Sequence, residues 1–304
     1  MDIQRAAQNI ARHYFHPPPG KPVVIACDEE KIALARAVAV VLEADGHPTI
    51  LPILDGEVLA QRRALTLLLE EDSIALAVFA SFRMWKDLAL SERITQREHQ
   101  PSLRGRPEPL FFDAVIPLES LLRLYSADPK SIHSFQSGLQ SNLVNNTSVH
   151  LTTPAGVDLR FLARTWQPWG WELMTCPVEG SIHGRIVVDG AVLFGRTHQP
   201  IELIITNGKL SAMDCPDRND EVFQGYRQWM MEVMEENPAN AQLCEVGLGA
   251  NPNAQLSDVL METEAVQGVA YFCFGDNASF EGMGGANRTG WHGGTATVQQ
   301  SRIV

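Results

Sequence analysis

The sequence predicts an α/β N-terminal domain with a parallel, doubly wound sheet, followed by an α+β C-terminal domain. Two observations lead to this prediction. In the first half, short apolar segments alternate with helix-length segments, whereas from Ser148 onward pairs of strands are separated by turn residues. A chain of 304 residues is also too long for one small core. We therefore assign residues 1–146 to a Rossmann-like or flavodoxin-like domain and residues 147–304 to the α+β domain.

The elements of the first half follow from apolar runs and from residues that stop helices. Continuous apolar runs are typical of strands that are buried on both faces of a parallel sheet. Gly46 and Pro48 end the second helix, because glycine suits the position after a helix and proline blocks its continuation. The polar segment 91–109, which contains prolines, is predicted to lie on the surface, outside the regular alternation of strands and helices. The predicted strands are 22–26, 49–54, 74–80 and 111–118, and the predicted helices are 3–14, 30–44, 57–70 and 131–144.

The second half reads as three hairpins followed by two helices. The first hairpin joins 149–153 to 157–161, and the second joins 186–188 to 191–193. The third contains Asn207-Gly208, which is the strongest short-range hairpin signal because both residues tolerate positive φ. The helices are predicted over residues 220–235 and 258–265.

Composition excludes several classes of function. The 24 basic and 36 acidic residues give a net charge of −12, which argues against a nucleic acid or an anionic membrane as partner. No run of about 18 apolar residues is present, so we expect no membrane span. The five cysteines show no CxxC pair, and the N-terminus lacks the apolar core of a signal peptide. These features predict free, mostly buried thiols in a cytoplasmic protein.

Common catalytic and nucleotide-binding motifs are missing from the sequence. The first strand is followed by Ala26-Cys27-Asp28 and not by GxGxxG, so a dinucleotide site is not expected there. The sequence contains no HExxH and no GxSxG. The chemistry must therefore come from residues that are far apart in the chain.

Three residues in the last half of the chain are candidates for metal ligands. Glu172 lies in an apolar stretch, where a carboxylate needs a cation, a hydrogen bond or access to water. Glu245 ends an apolar strand before a glycine-rich turn, and His292 is flanked by glycines that allow a ligand to approach the backbone. Each has a plainer alternative: the glutamates as surface residues of strands, and the glycine run as an anion-binding nest.

Together these segments resemble the M29 family of metallo-aminopeptidases, the aminopeptidase T and aminopeptidase S group, whose wider superfamily includes the 2,5-dihydroxypyridine dioxygenases. The resemblance covers most of the chain and is carried by residues 172–184, 200–209 and 245–251. It implies an N-terminal α/β domain, a C-terminal catalytic domain that holds metal, and a homodimer. The peptidases of this family hold two ions with two glutamates, two histidines and an aspartate.

Matched residue by residue, the resemblance implies that Glu172, Glu245 and His292 are metal ligands. Tyr271 stands where the family has its other histidine, and Gly294 stands where it has the aspartate. This reduced set fits one divalent ion (Zn, Mn, Co or Fe) better than two. Tyr271 then has three roles open to it: a substitute ligand, a general acid or a neutral hydrogen-bond donor.

Further acidic and histidine residues are candidates to take part in this site. Glu179 and Glu281 are candidates to move a proton during catalysis, and they complete the predicted catalytic set with Tyr271. The residues that are candidates to complete the ligand set are His183, His198, Asp276 and Glu281.

Three functions are consistent with this reading. The first is hydrolysis of an amide or peptide-like bond with one ion, acting on a small-molecule or peptide-like substrate. The second is opening of an aromatic ring by a mononuclear iron dioxygenase. Nearby aromatic residues would suit its flat substrate, but the ligand set lacks the usual two histidines and one carboxylate. The third is a metal-free relative that has been repurposed in a specialised biosynthetic pathway. The aromatic residues in question are Trp169, Trp171, Tyr271, Phe272 and Trp291.

Overall fold

The fold was analysed in a computed structural model of the chain. It describes residues 2–15, 17, 19–27, 29–50, 75–79, 110–112, 116–278 and 283–303. The chain divides into two units, Met1–Pro129 and Lys130–Val304. This division comes before the boundary at residue 146 that the sequence suggested, and a helix, Pro129–Asn142, lies between the two positions.

The first unit is built around four parallel strands in the order β2-β1-β3-β4. Val23, Val24 and Ile25 are fully buried in the central strand, as expected for a parallel sheet. The connections from β2 to β3 and from β3 to β4 lie outside the described residues, so the doubly wound arrangement of helices remains a prediction. The strands are β1 (Val23–Cys27), β2 (Thr49–Ile50), β3 (Ala75–Phe79) and β4 (Leu110–Phe112).

Within the described residues of the first unit, the α-helices are α1 (Ile3–Asn9), α2 (Ile32–Ala44) and α3 (Leu118–Ser126). Helix α1 begins where the Asp2 carboxylate accepts hydrogen bonds from two backbone N–H groups, and it continues into a π-helical turn, Ile10–Tyr14. The predicted strand 111–118 was wrong at its end, because Leu118 begins α3. The predicted helix 57–70 and the segment 91–109 lie outside the described residues.

The second unit contains two antiparallel sheets, with seven and six strands. The seven-stranded sheet has the order β11-β10-β16-β15-β14-β8-β7, and the six-stranded sheet has the order β13-β12-β9-β6-β5-β17. The strands of the first half of this unit are β5 (Ser148–Thr152), β6 (Asp158–Leu162), β7 (Gln167–Trp169), β8 (Glu172–Thr175), β9 (His183–Val188), β10 (Ala191–Val192) and β11 (Gly195–Arg196). Those of the second half are β12 (Ile201–Thr206), β13 (Lys209–Asp214), β14 (Leu243–Gly249), β15 (Ala270–Gly275), β16 (His292–Val298) and β17 (Arg302–Ile303).

Two of the three predicted hairpins are confirmed. Strands β5 and β6 pair directly, and so do β12 and β13 around Asn207 and Gly208, whose φ angles are 50° and 79°. The hairpin predicted over 186–193 was wrong, because β9 pairs within the six-stranded sheet and β10 within the seven-stranded one. The short Asp189-Gly190 connection therefore carries the chain from one sheet to the other.

The core of the second unit lies between the two sheets and under the helix Glu221–Glu236. Leu203 and Ile186 of the six-stranded sheet share one buried cluster with Val246 and Phe272 of the seven-stranded sheet. Because side chains alternate along a strand, Phe272 enters this core while its neighbours Tyr271 and Cys273 project from the other face of the sheet. The helices of this unit are α4 (Pro129–Asn142), α5 (Glu221–Glu236) and α6 (Leu260–Ala265).

Helix α4 is tied to the strands of the second unit by side-chain amides. The buried Gln136 donates from Nε2 to the backbone oxygens of Gly170, at 3.1 Å, and Glu172, at 2.8 Å. Gln140 donates to the oxygen of Trp166 at 2.8 Å. These contacts place α4, which the sequence suggested closes the first domain, in the second unit.

Two predictions from composition can be compared with the structure. All five cysteines are buried free thiols, as predicted. Among the helices that the structure describes, none combines the length and the apolar character needed to cross a bilayer.

Candidate functional site

The candidate site lies on the face of the seven-stranded sheet that points away from the core. Strands β8, β14, β15 and β16 are consecutive neighbours in this sheet, and each contributes one or more polar side chains. Glu245 is paired across the strands with Cys273, and His292 is paired with Gly275. The fold therefore brings Glu172, Glu245 and His292, which the sequence singled out separately, to one place.

Tyr271 lies between the two glutamates. Its hydroxyl oxygen is 2.8 Å from Oε2 of Glu172 and 2.6 Å from Oε1 of Glu245. A phenol has one proton to donate, so two contacts of this length require a second proton, which one of the carboxyl groups must supply. Tyr271 thus links the two acidic side chains through hydrogen bonds, and it occupies the space between them.

The Tyr271 ring fits only because Gly247 is opposite it on β14. The two residues are paired across the strands, and a Cβ atom on residue 247 would overlap with the ring carbons of Tyr271. A glycine at position 247 is therefore required for the position of the Tyr271 ring. This is a packing requirement, because the backbone at Gly247 does not have a positive φ.

His292 contacts the other oxygen of Glu245. Its Nε2 lies 3.0 Å from Oε2 of Glu245, and its Nδ1 lies 3.0 Å from the backbone oxygen of Asp276. Donation from Nδ1 to that carbonyl would set the tautomer and the orientation of the ring. Burial lowers the pKa of His292, but the hydrogen bond and the charge of Glu245 outweigh burial, so the net shift is upward.

Cys273 was missed by the sequence analysis and lies in the middle of the site. One donor atom each from Glu245, Cys273 and His292 lie within 4.8 Å of one another, which is close enough for a shared metal ion. Cys273 Sγ also lies 3.2 Å from Oγ1 of Thr295. The available signal was its position two residues after Tyr271 in a strand, since such residues share a face.

The acidic groups of the site are strongly coupled. Burial, followed by the charge of Glu245, raises the pKa of Glu172 to about 8, although the hydrogen bond from Tyr271 opposes this shift. Burial, followed by the charges of Glu172 and Glu245, raises the pKa of Glu264, on α6, well above its ordinary value. Like charges this close to one another are not all ionised at neutral pH. The site therefore keeps protons on some of its carboxyl groups.

Glu179 has a different environment from the one expected of a proton-transfer group. Its Oε2 lies 2.6 Å from Nη2 of Arg164, and its Oε1 accepts hydrogen bonds of 2.9 Å from Asn277 Nδ2 and from the backbone of Ala286. Burial alone would raise the pKa of Glu179, but Arg164 and these donors lower it to about 2. Such a weak base is better suited to anchoring the glycine-rich segment before His292.

The anchoring role of Glu179 can be tested by its pH dependence. The pKa of Glu179 is below its ordinary value of 4.5, so the stability that it contributes is present above pH 4.5 and is lost as pH falls toward about 2. We expect Glu179→Gln to lower the free energy of unfolding at pH 7 by about 1–2 kcal/mol, a figure reduced for partial solvent exposure. The difference from wild type should shrink between pH 4.5 and pH 3 in urea titrations. An equal difference at both ends of that range would contradict the proposed ion pair.

The other residues that were candidates to complete the site do not all lie near it. His198 is exposed and contacts Asp220 Oδ2 at 3.2 Å, and His183 belongs to β9 in the other sheet. Asp276 contributes its backbone oxygen to His292, while its carboxylate accepts a hydrogen bond from the backbone of Gly290. Glu281 lies outside the described residues.

Comparison with known proteins shows relatives by structure and not by sequence. No family model matches this chain, and no curated protein matches it in sequence. A 2,5-dihydroxypyridine dioxygenase from Pseudomonas putida KT2440 has a similar structure, with a TM-score of 0.68, 16% identity, and coverage of 100% of this chain and 94% of the other. AmpT from Thermus thermophilus has a TM-score of 0.62 at 14% identity, with coverage of 99% of this chain and 94% of the other. These two similarities show that the chain shares its fold with both proteins, as the resemblance found in the sequence led us to expect.

Proposed function

Starting from the fold that this chain shares with an aminopeptidase and a dioxygenase, we propose that it is an enzyme that hydrolyses an amide or peptide-like bond with one divalent metal ion. The observation that carries this proposal is the group formed by Glu245, Cys273 and His292, whose donor atoms lie within 4.8 Å of one another. Cys273 replaces Glu172 in the ligand set that the sequence suggested. The carboxyl group of Glu172 is instead hydrogen-bonded to the Tyr271 hydroxyl.

The chemistry of the three donors favours zinc. One sulfur, one imidazole nitrogen and one carboxylate oxygen form a three-residue set that leaves a fourth position open, as in catalytic zinc sites. Iron oxygenases typically use two histidines and one carboxylate, and this set has one histidine. The Cys273 thiol has a pKa raised by burial and by the negative charge of Glu245, and a bound cation is what would make it a thiolate.

The same residues do not fit a pair of ions. A second ion would need oxygens from both Glu172 and Glu245, and the Tyr271 hydroxyl fills the space between those carboxyl groups. Within the described residues, the position two after His292 is a glycine and supplies no side-chain donor. We therefore propose a single-ion site.

The chain's own residues supply the proton transfers of hydrolysis. A zinc ion in this site would polarise the substrate carbonyl and make a water molecule more acidic. Glu172, whose pKa is about 8, is protonated at neutral pH; we infer that it gives its proton to the leaving amine as a general acid and then takes up the proton that the attacking water loses. Tyr271 orients Glu172 and connects it to Glu245.

Ring opening by an iron dioxygenase is the second candidate. The similarity to the dioxygenase at a TM-score of 0.68 is the observation in its favour. Of the aromatic residues named from the sequence, Tyr271 lies in the site, whereas Phe272 is in the core and Trp169 is 60% exposed. We also propose that the protein forms a homodimer, because the family that it resembles does so. The free thiols of its cysteines support a cytoplasmic location.

Metal analysis of the purified protein tests the proposed site without an activity assay. We expect about one zinc per chain after loading, and loss of that zinc in Cys273→Ala and in His292→Ala, because three protein ligands are the usual minimum for such a site. Two matched controls should keep their metal: Cys215→Ala, at a buried thiol elsewhere in this unit, and His133→Ala, at an exposed position of α4.

The three functions give different results in this experiment. Stoichiometric zinc, followed by release of amine from peptide amides, supports hydrolysis. Iron with O₂ consumption would replace the proposal with the dioxygenase. Absence of bound metal in wild type, or retention of metal in both ligand variants, would refute the single-ion site and favour a metal-free relative.

A further inference from the structure

A threonine on strand β16 contacts the sulfur of Cys273, one of the three candidate metal donors. Oγ1 of Thr295 lies 3.2 Å from Sγ of Cys273, which is within hydrogen-bonding distance for sulfur. The Thr295 hydroxyl also forms a hydrogen bond with the carboxyl group of Glu264, on α6. Thr295 and Cys273 are both buried. The three side chains therefore form a hydrogen-bonded chain that ends at a candidate metal ligand.

A β-bulge in strand β16 places Thr295 opposite Cys273. The register between β15 and β16 shifts next to Cys273, so that two residues of β16, Gly294 and Thr295, face it. Gly294 has a φ of 66°, the left-handed conformation in which glycine begins a bulge. Its backbone oxygen accepts a hydrogen bond of 2.7 Å from the buried hydroxyl of Tyr226, on α5. The backbone thus fixes the place of Thr295 from both sides.

Glu264 reaches the site from helix α6, which packs on the same face of the sheet. Gly249 of β14 is paired with Glu172, and a Cβ atom on Gly249 would overlap with the backbone oxygen of Glu264. Bare backbone at this position therefore lets the end of the helix come close to the sheet. The negative charges of Glu172 and Glu245 both act on the Glu264 carboxyl group, as expected for a side chain that points into the same site.

The hydrogen-bonded chain has a defined direction. A hydroxyl has one proton to donate, and Thr295 gives it to Glu264, so Oγ1 is left to accept a hydrogen bond from the Cys273 thiol. A cysteine side chain has three staggered positions about its first torsion, and a hydrogen bond made in one of them favours that position. Groups that orient a metal ligand in this way typically change metal affinity by about ten- to hundredfold.

We propose that Thr295 is a positioning residue whose hydroxyl, held by Glu264, directs the sulfur of Cys273 toward the other two donors of the site. This inference rests on the proposed function for the identity of the metal ligands. The hydrogen bond to the sulfur forms without metal, however, and it can be measured without metal. The proposed site thus includes two side chains that support a ligand and do not bind the ion themselves.

Titration of the full chain with Co²⁺ tests the positioning role. A cobalt–thiolate bond absorbs in the near ultraviolet by charge transfer, so one titration reports both the affinity and the binding of sulfur. Thr295→Val keeps nearly the same side-chain size and removes the hydroxyl. We expect it to weaken Co²⁺ binding by about ten- to hundredfold and to reduce this absorption. Thr295→Ser keeps the hydroxyl and should recover most of both.

Thr297→Val is the matched control on the same strand. The Thr297 hydroxyl is also buried, but it bonds to the backbone of Ala191 and does not contact Cys273. We expect Thr297→Val to lower the free energy of unfolding and to leave Co²⁺ affinity unchanged. Equal loss of affinity in Thr295→Val and Thr297→Val would overturn the positioning role, and so would weak binding by Thr295→Ser. If Thr295→Val does not fold, Thr295→Ala and Thr295→Ser make the same comparison with smaller side chains.

Raman spectroscopy of the metal-free protein tests the hydrogen bond by itself. The S–H stretching band lies in a region free of other protein bands, and the difference between wild type and Cys273→Ala isolates the band of this thiol. We expect the band to move to higher frequency in Thr295→Val, because a thiol that donates a hydrogen bond vibrates at lower frequency. An unchanged band would refute the contact. If the band moves but wild type binds no Co²⁺, then the proposed function fails while the support of the sulfur by Thr295 stands.

Discussion

Replacing Gly247 by alanine is expected to lower the free energy of unfolding by about 3 kcal/mol or more, among the largest effects of a single methyl group in this chain. The added Cβ would overlap with the Tyr271 ring, which is 2% exposed and cannot move outward. To relieve the overlap, either strand β14 or the phenol must shift, and a shift of the phenol breaks its contacts with Glu172 and Glu245. Urea denaturation measures the loss, and metal analysis shows whether the site survives.

A matched control and a double variant isolate the cause. Gly138→Ala, in helix α4, adds a methyl group where no atom lies within 4 Å, and it should be neutral or stabilising by about 0.5–1 kcal/mol. In a Tyr271→Ala background the Gly247→Ala change should cost little, because its clash partner is gone. If the cost of Gly247→Ala is the same with and without the Tyr271 ring, then this explanation is wrong.

Tyr271→Phe is expected to have the second large effect, and the effect should depend on pH. The variant keeps the ring and removes the hydroxyl that both carboxyl groups share, at 2.8 Å and 2.6 Å. At high pH, Glu172 and Glu245 are then two buried negative charges without a donor between them. We expect a loss of about 3 kcal/mol in metal-free protein at pH 9, and a large fall in any hydrolytic rate, because Glu172 loses its orientation.

The sign of the pH dependence follows from Glu172. The pKa of Glu172 is raised from 4.5 to about 8 in the fold, so wild type loses stability as pH rises through this range. The Tyr271 hydroxyl opposes that upward shift, and without it the loss extends to higher pH. The cost of Tyr271→Phe should therefore grow from pH 5, where a protonated Glu172 can donate in place of the phenol, to pH 9.

Glu172→Gln provides the control for this prediction, because an amide does not titrate. In that background, the cost of removing the Tyr271 hydroxyl should vary much less between pH 5 and pH 9. Chemical denaturation of the four proteins at both pH values, in the presence of a chelator, gives the comparison. A cost of Tyr271→Phe that falls with rising pH would contradict the assigned proton on Glu172.

The sequence was sufficient to bring Glu172, Glu245, Tyr271 and His292 into one hypothesis, because each lies in a segment whose spacing resembles a known family. Alternation along β15 puts Cys273 on the same face as Tyr271, but the sequence did not show that Glu245 lies opposite Cys273. The strand pairing that places Cys273 opposite Glu245 includes a bulge between Leu243 and Glu245. A bulge changes which face a side chain takes, and no local pattern in the sequence predicts it.

The fold was predicted well where local signals are strong and less well where pairing is long-range. Asn207-Gly208 fixes its own turn, so the hairpin of β12 and β13 was found. The pattern over 186–193 is equally hairpin-like, yet β10 pairs with β16, about one hundred residues further along the chain. The hydrogen bond of Glu179 to Asn277, 98 residues away, is another long-range contact that the local sequence does not indicate.

Helix α4 has a consequence for how this chain can be divided. Gln136 binds the backbone oxygen of Glu172, so the strand that begins with this site residue is supported by a helix that comes before residue 146. A recombination event or an engineered cut at 146 would separate the second unit from part of its own scaffold. A junction before Lys130 keeps the helix with the sheet, which makes that position, and not the change in sequence pattern, the natural border for exchanging modules.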